Sequence, residues 1–293
     1  MPQLPLPGFT TPNRVVNVAS VPQRSPFRYP GGKTWLVPVI RQWMTSFEIR
    51  PRTLIEPFTG GGIIGLTVAF EMLAEQVHLI EIDEQVAAVW ETIITNGGGC
   101  ELAEEIRQFE LTSENVEQLL GQVPQSVAFR ALQTIVINRV NRGGILAKGA
   151  GRVKAGEAGK GLKSRWYPET LARRIEAIDR IRHRLCFTTG DGMTILKEKK
   201  DVSDTAFFID PPYSASGKKA GQRLYTHHAL DHKALFDLTA ELQSPFLMTY
   251  DDNAYIRDLA KLHGFCVQTV AMKNTHHAKA QELLISRDFS WLV

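Results

Sequence analysis

The sequence contains little cysteine and no long apolar run. Its 3 cysteines in 293 residues, Cys100, Cys186 and Cys266, stand singly, without the spacing of a disulfide framework or a zinc site. We interpret them as core residues of a protein in a reducing compartment. No apolar run reaches the roughly 18 residues of a membrane span, and the N-terminus lacks a charged start followed by an apolar signal core. The sequence therefore predicts a cytoplasmic protein without a membrane segment.

A metal-binding pattern is also missing. Two histidine pairs, His227-His228 and His276-His277, have no partner ligands at metal-site spacing, so we expect no bound metal. The net charge is only +3, and the hydrophobic fraction of 43% is ordinary for a globular protein. A chain of 293 residues can bury a large core, and we expect one domain that carries an insertion.

An apolar run at 206–209 is followed by Asp210-Pro211-Pro212-Tyr213. We predict a buried strand of a parallel sheet that ends at the proline pair, because neither proline has an N–H group for the ladder. The Asp210 carboxylate and the Pro211 carbonyl can both accept hydrogen bonds from a planar amino group, and Tyr213 offers a flat face for a base. The pattern favours methylation of an amino group, with Asp210 stabilising the positive charge that develops on the nitrogen. The alternative is a strand that ends in a plain turn.

An earlier segment has the form of a strand, a glycine turn and the start of a helix. Gly60, Gly62 and Gly65 match G-x-G-x-x-G, whose glycines allow a tight turn and close approach of the backbone to a nucleotide. A second apolar stretch ends at Glu81, with Asp83 close by, and an acid there can hold the two ribose hydroxyls of a nucleoside. The same pattern suits a nicotinamide-dependent oxidoreductase. It also suits a structural βαβ unit, and both alternatives stay open.

A further glycine turn, Gly31-Gly32-Lys33, lies upstream of a segment with helical apolar spacing at 34–44. Such a turn at a helix start can approach a ligand closely, and Lys33 can reach a carboxylate such as that of S-adenosylmethionine. The segment lacks the spacing of a P-loop, so phosphate transfer is a poor fit. The alternative is that Gly31-Gly32-Lys33 is a loop with no role in ligand binding.

The chain becomes basic and glycine-rich between residues 138 and 165. Eight basic residues stand against one acid, Glu157, which gives this segment a net charge of +7. Separated cations on a glycine-rich loop suit a phosphate backbone, whereas the alternative is a solvated flexible loop. The basic residues are Arg139, Arg142, Lys148, Arg152, Lys154, Lys160, Lys163 and Arg165.

The remaining periodicity predicts a succession of helices and strands. Helical spacing covers 100–138, 168–184, 232–242 and 254–263, and strands are expected at 245–250, 265–272 and 282–289. The last two strands should form an antiparallel edge pair, and 217–221 should be a loop over the active site.

In content and in order, three motifs resemble the Dam-like, alpha-class DNA adenine-N6 methyltransferases. They are Tyr29-Pro30-Gly31-Gly32-Lys33, Glu56-Pro57-Phe58 with its glycines, and Asp210-Pro211-Pro212-Tyr213. The resemblance covers roughly residues 26–287 and extends to Asn138-Arg139, Arg165-Trp166, Gly190-Asp191 and Glu282-Leu283-Leu284-Ile285.

This resemblance implies a doubly wound, Rossmann-like α/β sheet that binds S-adenosylmethionine, with an inserted, mainly helical target-recognition region. Lys33 would bind the methionine carboxylate, Glu81 the ribose, and Asp191 would lie near the cofactor adenine. Glu81 stands where aspartate is expected in many relatives. The predicted cofactor-binding residues are Tyr29, Gly31, Lys33, Glu56, Pro57, Phe58, Gly60, Gly62, Glu81, Asp83, Asp191 and Asp210. The predicted catalytic residues are Asp210, Pro211, Pro212 and Tyr213.

We predict a proline-rich arm at 1–26, a catalytic domain at 27–99 and 186–293, and a target-recognition region at 100–185. The predicted DNA-binding residues are Asn138, Arg139, Arg142, Lys148, Arg152, Lys154, Lys163 and Arg165. Arg139 and Arg142 belong to the loop that varies with DNA sequence preference in the family, so no recognition sequence can be transferred.

The predicted reaction moves a methyl group to N6 of an adenine flipped out of double-stranded DNA. Cytosine-N4 methylation, RNA adenine methylation and, more remotely, nicotinamide-dependent oxidation are the alternatives. We expect a monomer in a bacterial or phage-infected cell, with a cognate restriction enzyme as an optional partner.

Overall fold

The fold is a sheet with helices on both faces. The computed structural model describes residues 18–29, 31–147, 149–154, 156, 159–212, 230–273 and 279–292. The seven strands are β1 (Thr53–Glu56), β2 (Gln76–Glu81), β3 (Leu185–Thr189), β4 (Thr205–Ile209), β5 (Phe246–Asp251), β6 (Cys266–Lys273) and β7 (Lys279–Ser286). They form one sheet in the order β3-β2-β1-β4-β5-β7-β6.

The helices fall before, between and after these strands. They are α1 (Val37–Thr45), α2 (Ile63–Phe70), α3 (Glu84–Trp90), α4 (Gly99–Gln108), α5 (Ser113–Gly121), α6 (Val127–Val140), α7 (Pro168–Arg180), α8 (Gly192–Lys199), α9 (His232–Glu241) and α10 (Ala254–Leu262). None of the helices in the described part of the chain is both long and apolar enough to cross a membrane.

Strands β1 to β5 are parallel, and β7 runs antiparallel to both β5 and β6. The predicted antiparallel pair at the C-terminus is therefore confirmed. All five residues of β4 are buried, as expected for a parallel strand covered by helices on both faces. Since β1 pairs with β2 on one side and with β4 on the other, the strand order reverses at β1, and a cleft opens there at the carboxyl ends of the strands.

Helices α4 to α7 occupy the stretch between α3 and β3, where the sequence predicts a mainly helical region. Helix α6 packs against α3, and α4 packs against α7. Their apolar faces share one hydrophobic core with the sheet, which includes Trp90, Leu102, Ile135 and Ile175. Through this shared core, the region α4–α7 packs against α3, the helix that follows β2.

The three cysteines are exposed, so their prediction as core residues is wrong. Cys186 faces outward on β3 because burial alternates along this strand. Cys266 begins the edge strand β6, and Cys100 lies on α4 with its Sγ atom 3.5 Å from Asp179 Oδ2. Strand β3 itself had not been predicted, although Phe187, Thr188 and Thr189 have high β propensity.

Candidate active site

A single cleft lies at the carboxyl ends of β1, β2 and β4. Every residue predicted to bind the cofactor borders this cleft, together with three of the four predicted catalytic residues. They are Tyr29, Gly31, Lys33, Glu56, Pro57, Phe58, Gly60, Gly62, Glu81, Asp83, Asp191, Asp210, Pro211 and Pro212. The fourth predicted catalytic residue, Tyr213, lies outside the described residues. Three distant segments of sequence thus meet at one site.

The turn between β1 and α2 requires glycine. Gly60 and Gly62 have φ angles of +47° and +62°, which L side chains rarely adopt. A Cβ atom on Gly60 would lie 2.6 Å from the Tyr29 ring. The Gly60 carbonyl also accepts a hydrogen bond of 3.1 Å from Trp90 Nε1. The turn is therefore fixed from both sides, and it leads into the N-terminus of α2 beside the cleft.

Two buried glutamates accept hydrogen bonds from the backbone of this turn and of its neighbouring elements. Glu81 accepts hydrogen bonds from Gly60 N at 2.8 Å and from Asp83 N at 2.9 Å. Glu56 accepts one from Gly65 N at 2.9 Å. Desolvation raises the pKa of Glu81 to about 7 and places the pKa of Glu56 well above its ordinary value. Each carboxylate has lone pairs left, so Glu81 can also accept hydrogen bonds from a ligand in the cleft.

The two aspartates at the same end of the cleft cap helices. Asp83 Oδ1 accepts a hydrogen bond of 2.8 Å from Gln85 N at the start of α3. Asp191 Oδ1 accepts one of 3.1 Å from Met193 N at the start of α8. Capping orients both carboxylates at the ends of β2 and β3, and Asp191 remains exposed toward solvent.

Lys33 lies at the other end of the cleft, beside Asp210. Its Nζ atom is 3.0 Å from Asp210 Oδ1 and 3.6 Å from Glu282 Oε2, and it donates a hydrogen bond of 2.9 Å to Gly31 O. The Lys33 side chain is only 3% exposed. Asp210 Oδ1 also accepts a hydrogen bond of 2.7 Å from Thr249 Oγ1. The position of the Asp210 carboxylate is thus fixed by a cation and a hydroxyl.

Several acids surround this one lysine. Desolvation raises the pKa of Glu282 to about 7, opposed by Lys33 and reinforced by Asp210. Burial likewise raises the pKa of Asp251, the neighbour of Glu282 across the β5–β7 pair. Sequence reasoning assigned no role to Glu282 or Thr249. A charged residue at the start of the apolar run 283–285 was the available signal for Glu282.

Two of the residues predicted to contact DNA, Asn138 and Arg139, are buried, and their contact with DNA stays a prediction. Asn138 is fully buried, and its side chain hydrogen-bonds Arg28 N, Arg28 O and Gly144 O at 2.7–2.9 Å. Arg139 is 8% exposed and donates to Pro26 O at 2.5 Å. Both buried side chains bond main-chain groups, Asn138 those of Arg28 and Gly144 and Arg139 that of Pro26.

The other predicted DNA contacts lie nearer the surface. Arg142, Arg152, Lys154 and Lys163 are exposed, Arg165 is half-buried, and Lys148 lies outside the described residues. Arg142 N donates to Gly151 O at 2.9 Å and Val153 N donates to Val140 O at 2.8 Å. Residues 140–142 and 151–153 therefore run side by side. Gly144 from the same segment borders the cleft. The basic segment therefore lies at the mouth of the cleft.

Solved structures with similar folds include a protein from Pyrococcus horikoshii with the provisional description RNA methyltransferase. It is 10% identical, with 92% of each chain covered and a TM-score of 0.42. The rRNA methyltransferase aviRa from Streptomyces viridochromogenes is 13% identical, with 88% of this chain and 86% of that chain covered and a TM-score of 0.40. These values carry no information about the substrate.

No curated protein matches the chain. The model of the D12 class N6 adenine-specific DNA methyltransferase family does match it, over residues 29–275. This range includes the glycine turn, the four acids Glu56, Glu81, Asp83 and Asp191, and the Asp-Pro-Pro segment, and it covers most of the sequence. The chain therefore belongs to the D12 class of N6 adenine-specific DNA methyltransferases, and its methyl donor is S-adenosylmethionine.

Proposed function

We propose that this cleft is where the methyl group is transferred, with Asp210 and the Pro211 carbonyl holding the amino group of an adenine turned out of duplex DNA. The observation that carries the proposal is the meeting of Asp210-Pro211-Pro212 with the glycine turn of β1–α2 in one cleft. A base must leave the stack to reach such a recessed site. The cofactor would lie along the turn, between Glu81 and Asp191.

The cleft suits the cofactor chemically. The N-terminus of α2 lies beside the cleft and leaves main-chain N–H groups there for a ligand, while Glu81 offers acceptor oxygens for ribose hydroxyls. S-adenosylmethionine supplies an electrophilic methyl group on a sulfonium. Phe58 and Pro57 border the same cleft, and they provide an apolar wall next to these polar groups.

Asp210 and Pro211 would act on the nitrogen. An adenine amino nitrogen is a weak nucleophile because its lone pair is delocalised into the ring. Two acceptors on its hydrogens favour a pyramidal nitrogen, whose lone pair forms the new N–C bond as the S–C bond breaks. Asp210 then faces the positive charge on nitrogen, and one proton passes from that nitrogen to solvent, which leaves N6-methyladenine and S-adenosylhomocysteine. Lys33 and Thr249 hold the Asp210 carboxylate in place throughout.

The resemblance implies that Lys33 binds the methionine carboxylate. The geometry supports a different main role, because its ammonium group is buried between Asp210 and Glu282 and bonds the Gly31 carbonyl. We propose that Lys33 chiefly positions Asp210. A cofactor carboxylate near Gly31 and Gly32 would then be held largely by the main chain at that turn.

The finer features of the assignment are proposals as well. Double-stranded DNA is the proposed form of the substrate, and the exposed side chains of Arg142, Arg152, Lys154 and Lys163 would face it. The roles proposed for Lys148 in DNA binding and for Tyr213 in catalysis concern residues outside the described part of the chain. A monomer in the cytoplasm of a bacterial or phage-infected cell is proposed, with a restriction enzyme as an optional partner. The arm at 1–26 and the recognition region at 100–185 remain predictions.

The decisive experiment is an Asp210→Asn variant, assayed with labelled S-adenosylmethionine on duplex DNA. We expect turnover to fall by orders of magnitude while cofactor binding, measured by calorimetry, changes little, because the lost charge acts mainly in the transition state. Asp204→Asn, at an exposed position before β4, is the matched control. Equal turnover of the Asp210 variant and the wild type at saturating substrates would contradict the mechanism.

Identifying the methylated nucleoside completes this test. Digestion of the wild-type product to nucleosides should give N6-methyladenine. N4-methylcytosine would instead assign the site to the alternative amino group, which the same two acceptors can hold. Single-stranded DNA, duplex DNA and RNA offered in parallel show which nucleic acid is used.

A further inference from the structure

The glycine turn between β1 and α2 is bonded to a residue far upstream, Ser25. Its Oγ atom donates a hydrogen bond of 2.5 Å to Gly61 O and accepts one of 3.1 Å from Phe27 N. The next main-chain N–H along the turn, that of Gly62, donates to Thr59 O at 2.8 Å. The peptide unit between Gly61 and Gly62 is therefore bonded at both its carbonyl and its N–H.

The preceding peptide unit is also held from outside the turn. Trp90 Nε1 donates to Gly60 O, so two side chains bond two consecutive carbonyls of the turn. In a planar trans peptide the C=O and the N–H point in opposite directions, so a fixed carbonyl also fixes the direction of the next N–H. Gly61 borders the cleft, and the direction of its N–H decides whether this donor reaches a ligand there. Because three successive glycines have little conformational preference of their own, these outside bonds select one shape of the turn.

Ser25 is in turn held by two helices of the region between α3 and β3. Arg174 on α7 donates to Ser25 O at 3.3 Å, and Arg139 on α6 donates to Pro26 O at 2.5 Å. Arg174 is half-buried and Arg139 is buried. Two consecutive carbonyls of the upstream segment are thus bonded to side chains of α6 and α7.

Residues 27 and 28 complete this attachment. The Asn138 side chain accepts a hydrogen bond from Arg28 N and donates one to Arg28 O, each at 2.9 Å. Phe27 is 6% exposed, and its ring centroid lies 5.6 Å from that of Trp90, the donor to the glycine turn. Residues 25–28 therefore connect α6 and α7 to the glycine turn through hydrogen bonds and ring packing.

We propose that Ser25 is a positioning residue for S-adenosylmethionine. Its hydroxyl fixes the Gly61 carbonyl and thereby the shape of the turn along which the cofactor binds, while α6 and α7 hold Ser25 in place. The inference deepens the proposed function and rests on its placement of the cofactor along this turn. Ser25 is not among the described residues that border the cleft, so it acts on cofactor affinity and not on the methyl-transfer step.

Ser25→Ala tests the proposal, and Ser46→Ala is its matched control. Ser46 Oγ also donates to a main-chain carbonyl, that of Trp43, but it lies at the end of α1 and does not line the cleft. We expect Ser25→Ala to raise the dissociation constant and the KM of S-adenosylmethionine about threefold to tenfold, the effect of one lost hydrogen bond, with kcat nearly unchanged. Ser25→Thr keeps the hydroxyl and should restore most of the affinity. Calorimetry and steady-state methylation give these values, and the control should change none of them.

A purely structural role of Ser25 gives a different result. Thermal unfolding of each variant reports its stability. A lower unfolding temperature for Ser25→Ala with an unchanged dissociation constant would overturn the proposal, and so would a Ser25→Thr variant that binds the cofactor as weakly as Ser25→Ala. A kcat that falls while the KM stays constant would overturn it as well, because Ser25 would then act on the transfer step.

Arg174→Gln tests the attachment to α7, with Arg173→Gln as its control. Arg173 is the exposed neighbour of Arg174 and pairs with Glu169. We expect Arg174→Gln to weaken cofactor binding by a smaller factor than Ser25→Ala, because α6 still holds the segment. Combining it with Ser25→Ala should cause no further loss, since residues that act through one contact are not additive. Losses that add would overturn the claim that α7 acts through Ser25.

The outcomes separate this inference from the proposed function. If the wild type binds S-adenosylmethionine and methylates DNA while Ser25→Ala behaves like the wild type, only the role of Ser25 is wrong. If the wild type binds the cofactor but Asp210→Asn keeps full turnover, the proposed chemistry fails while the result for Ser25 still stands.

Discussion

The proposed chemistry depends on the Asp210 carboxylate. The residues around it come from three other parts of the chain. Lys33 precedes α1, Thr249 lies on β5, and Glu282 lies on β7. Lys33 offsets the charge of both acids, yet it cannot neutralise the two of them fully. Desolvation raises the pKa of Glu282 to about 7, opposed by Lys33, and Asp210 is the one of the two acids that borders the cleft.

At this scale we predict that Lys33→Met lowers kcat by on the order of tenfold or more, because Asp210 loses a buried charged partner. The dissociation constant of S-adenosylmethionine should change less than kcat. Single-turnover methylation and calorimetry provide the two numbers. Lys200→Met, which removes an exposed pair with Glu241, should leave both unchanged. A large loss of cofactor affinity with unchanged kcat would show that Lys33 holds the methionine carboxylate instead.

Among the elements, the turn between β1 and α2 connects local backbone geometry most directly to ligand binding. Gly60 and Gly62 adopt left-handed conformations, and the main-chain N–H of Gly60 donates a hydrogen bond to Glu81. Sequence spacing correctly identified this turn. The reason is physical: only glycine tolerates positive φ and a neighbouring ring at such short distance.

We predict that Gly60→Ala destabilises the protein by about 1–3 kcal/mol, from backbone strain and the contact with the Tyr29 ring. It should also weaken S-adenosylmethionine binding, because relieving the contact with the Tyr29 ring shifts a turn that borders the cleft. Urea unfolding and calorimetry measure these effects. Gly121→Ala at the end of α5 is the control, since no atom lies within 4 Å of its added Cβ and its stability should stay within about 1 kcal/mol of the wild type.

The basic segment after α6 provides a second test at the scale of elements. Replacing Arg152 and Lys154 together by glutamine should weaken binding to all duplexes and flatten the salt dependence, because both exposed cations would lose phosphate contacts. Fluorescence anisotropy across a salt series measures the slope. The double variant Arg50→Gln with Lys261→Gln removes two exposed cations elsewhere and should not alter it. An unchanged slope in the first variant would mean that the DNA path avoids this segment.

Considered as a whole, the molecule concentrates buried acids at one edge of its sheet. Glu56, Glu81 and Glu282 all have a raised pKa, caused mainly by desolvation. Groups of this kind bind more protons in the folded than in the unfolded state at mildly acidic pH. Their contribution therefore makes the protein less stable as pH rises through the window between the unfolded and folded pKa values.

For Glu282 this window runs from 4.5, its ordinary pKa, to about 7 in the folded protein. Glu282→Gln removes the titration, so the variant should lose less stability than the wild type over that window, by about 2 kcal/mol. Urea unfolding at pH 4.5 and pH 7 gives the difference. Glu241→Gln, an exposed carboxylate, should show the wild-type dependence. Parallel profiles for Glu282→Gln and the wild type would show that its pKa is not raised.

The sequence alone determined the residues of the cleft, the glycine turn and most strands of the sheet, because these depend on local backbone chemistry and on apolar patterning. Tertiary structure decided the partners and the exposure of side chains. It placed Lys33 against Asp210 and Glu282, buried Asn138 and Arg139, exposed the three cysteines, and bonded Ser25 to Gly61 and to Arg174. These outcomes depend on which distant segments pack together, since burial and pairing are properties of the assembled core and are not encoded in the spacing of nearby residues.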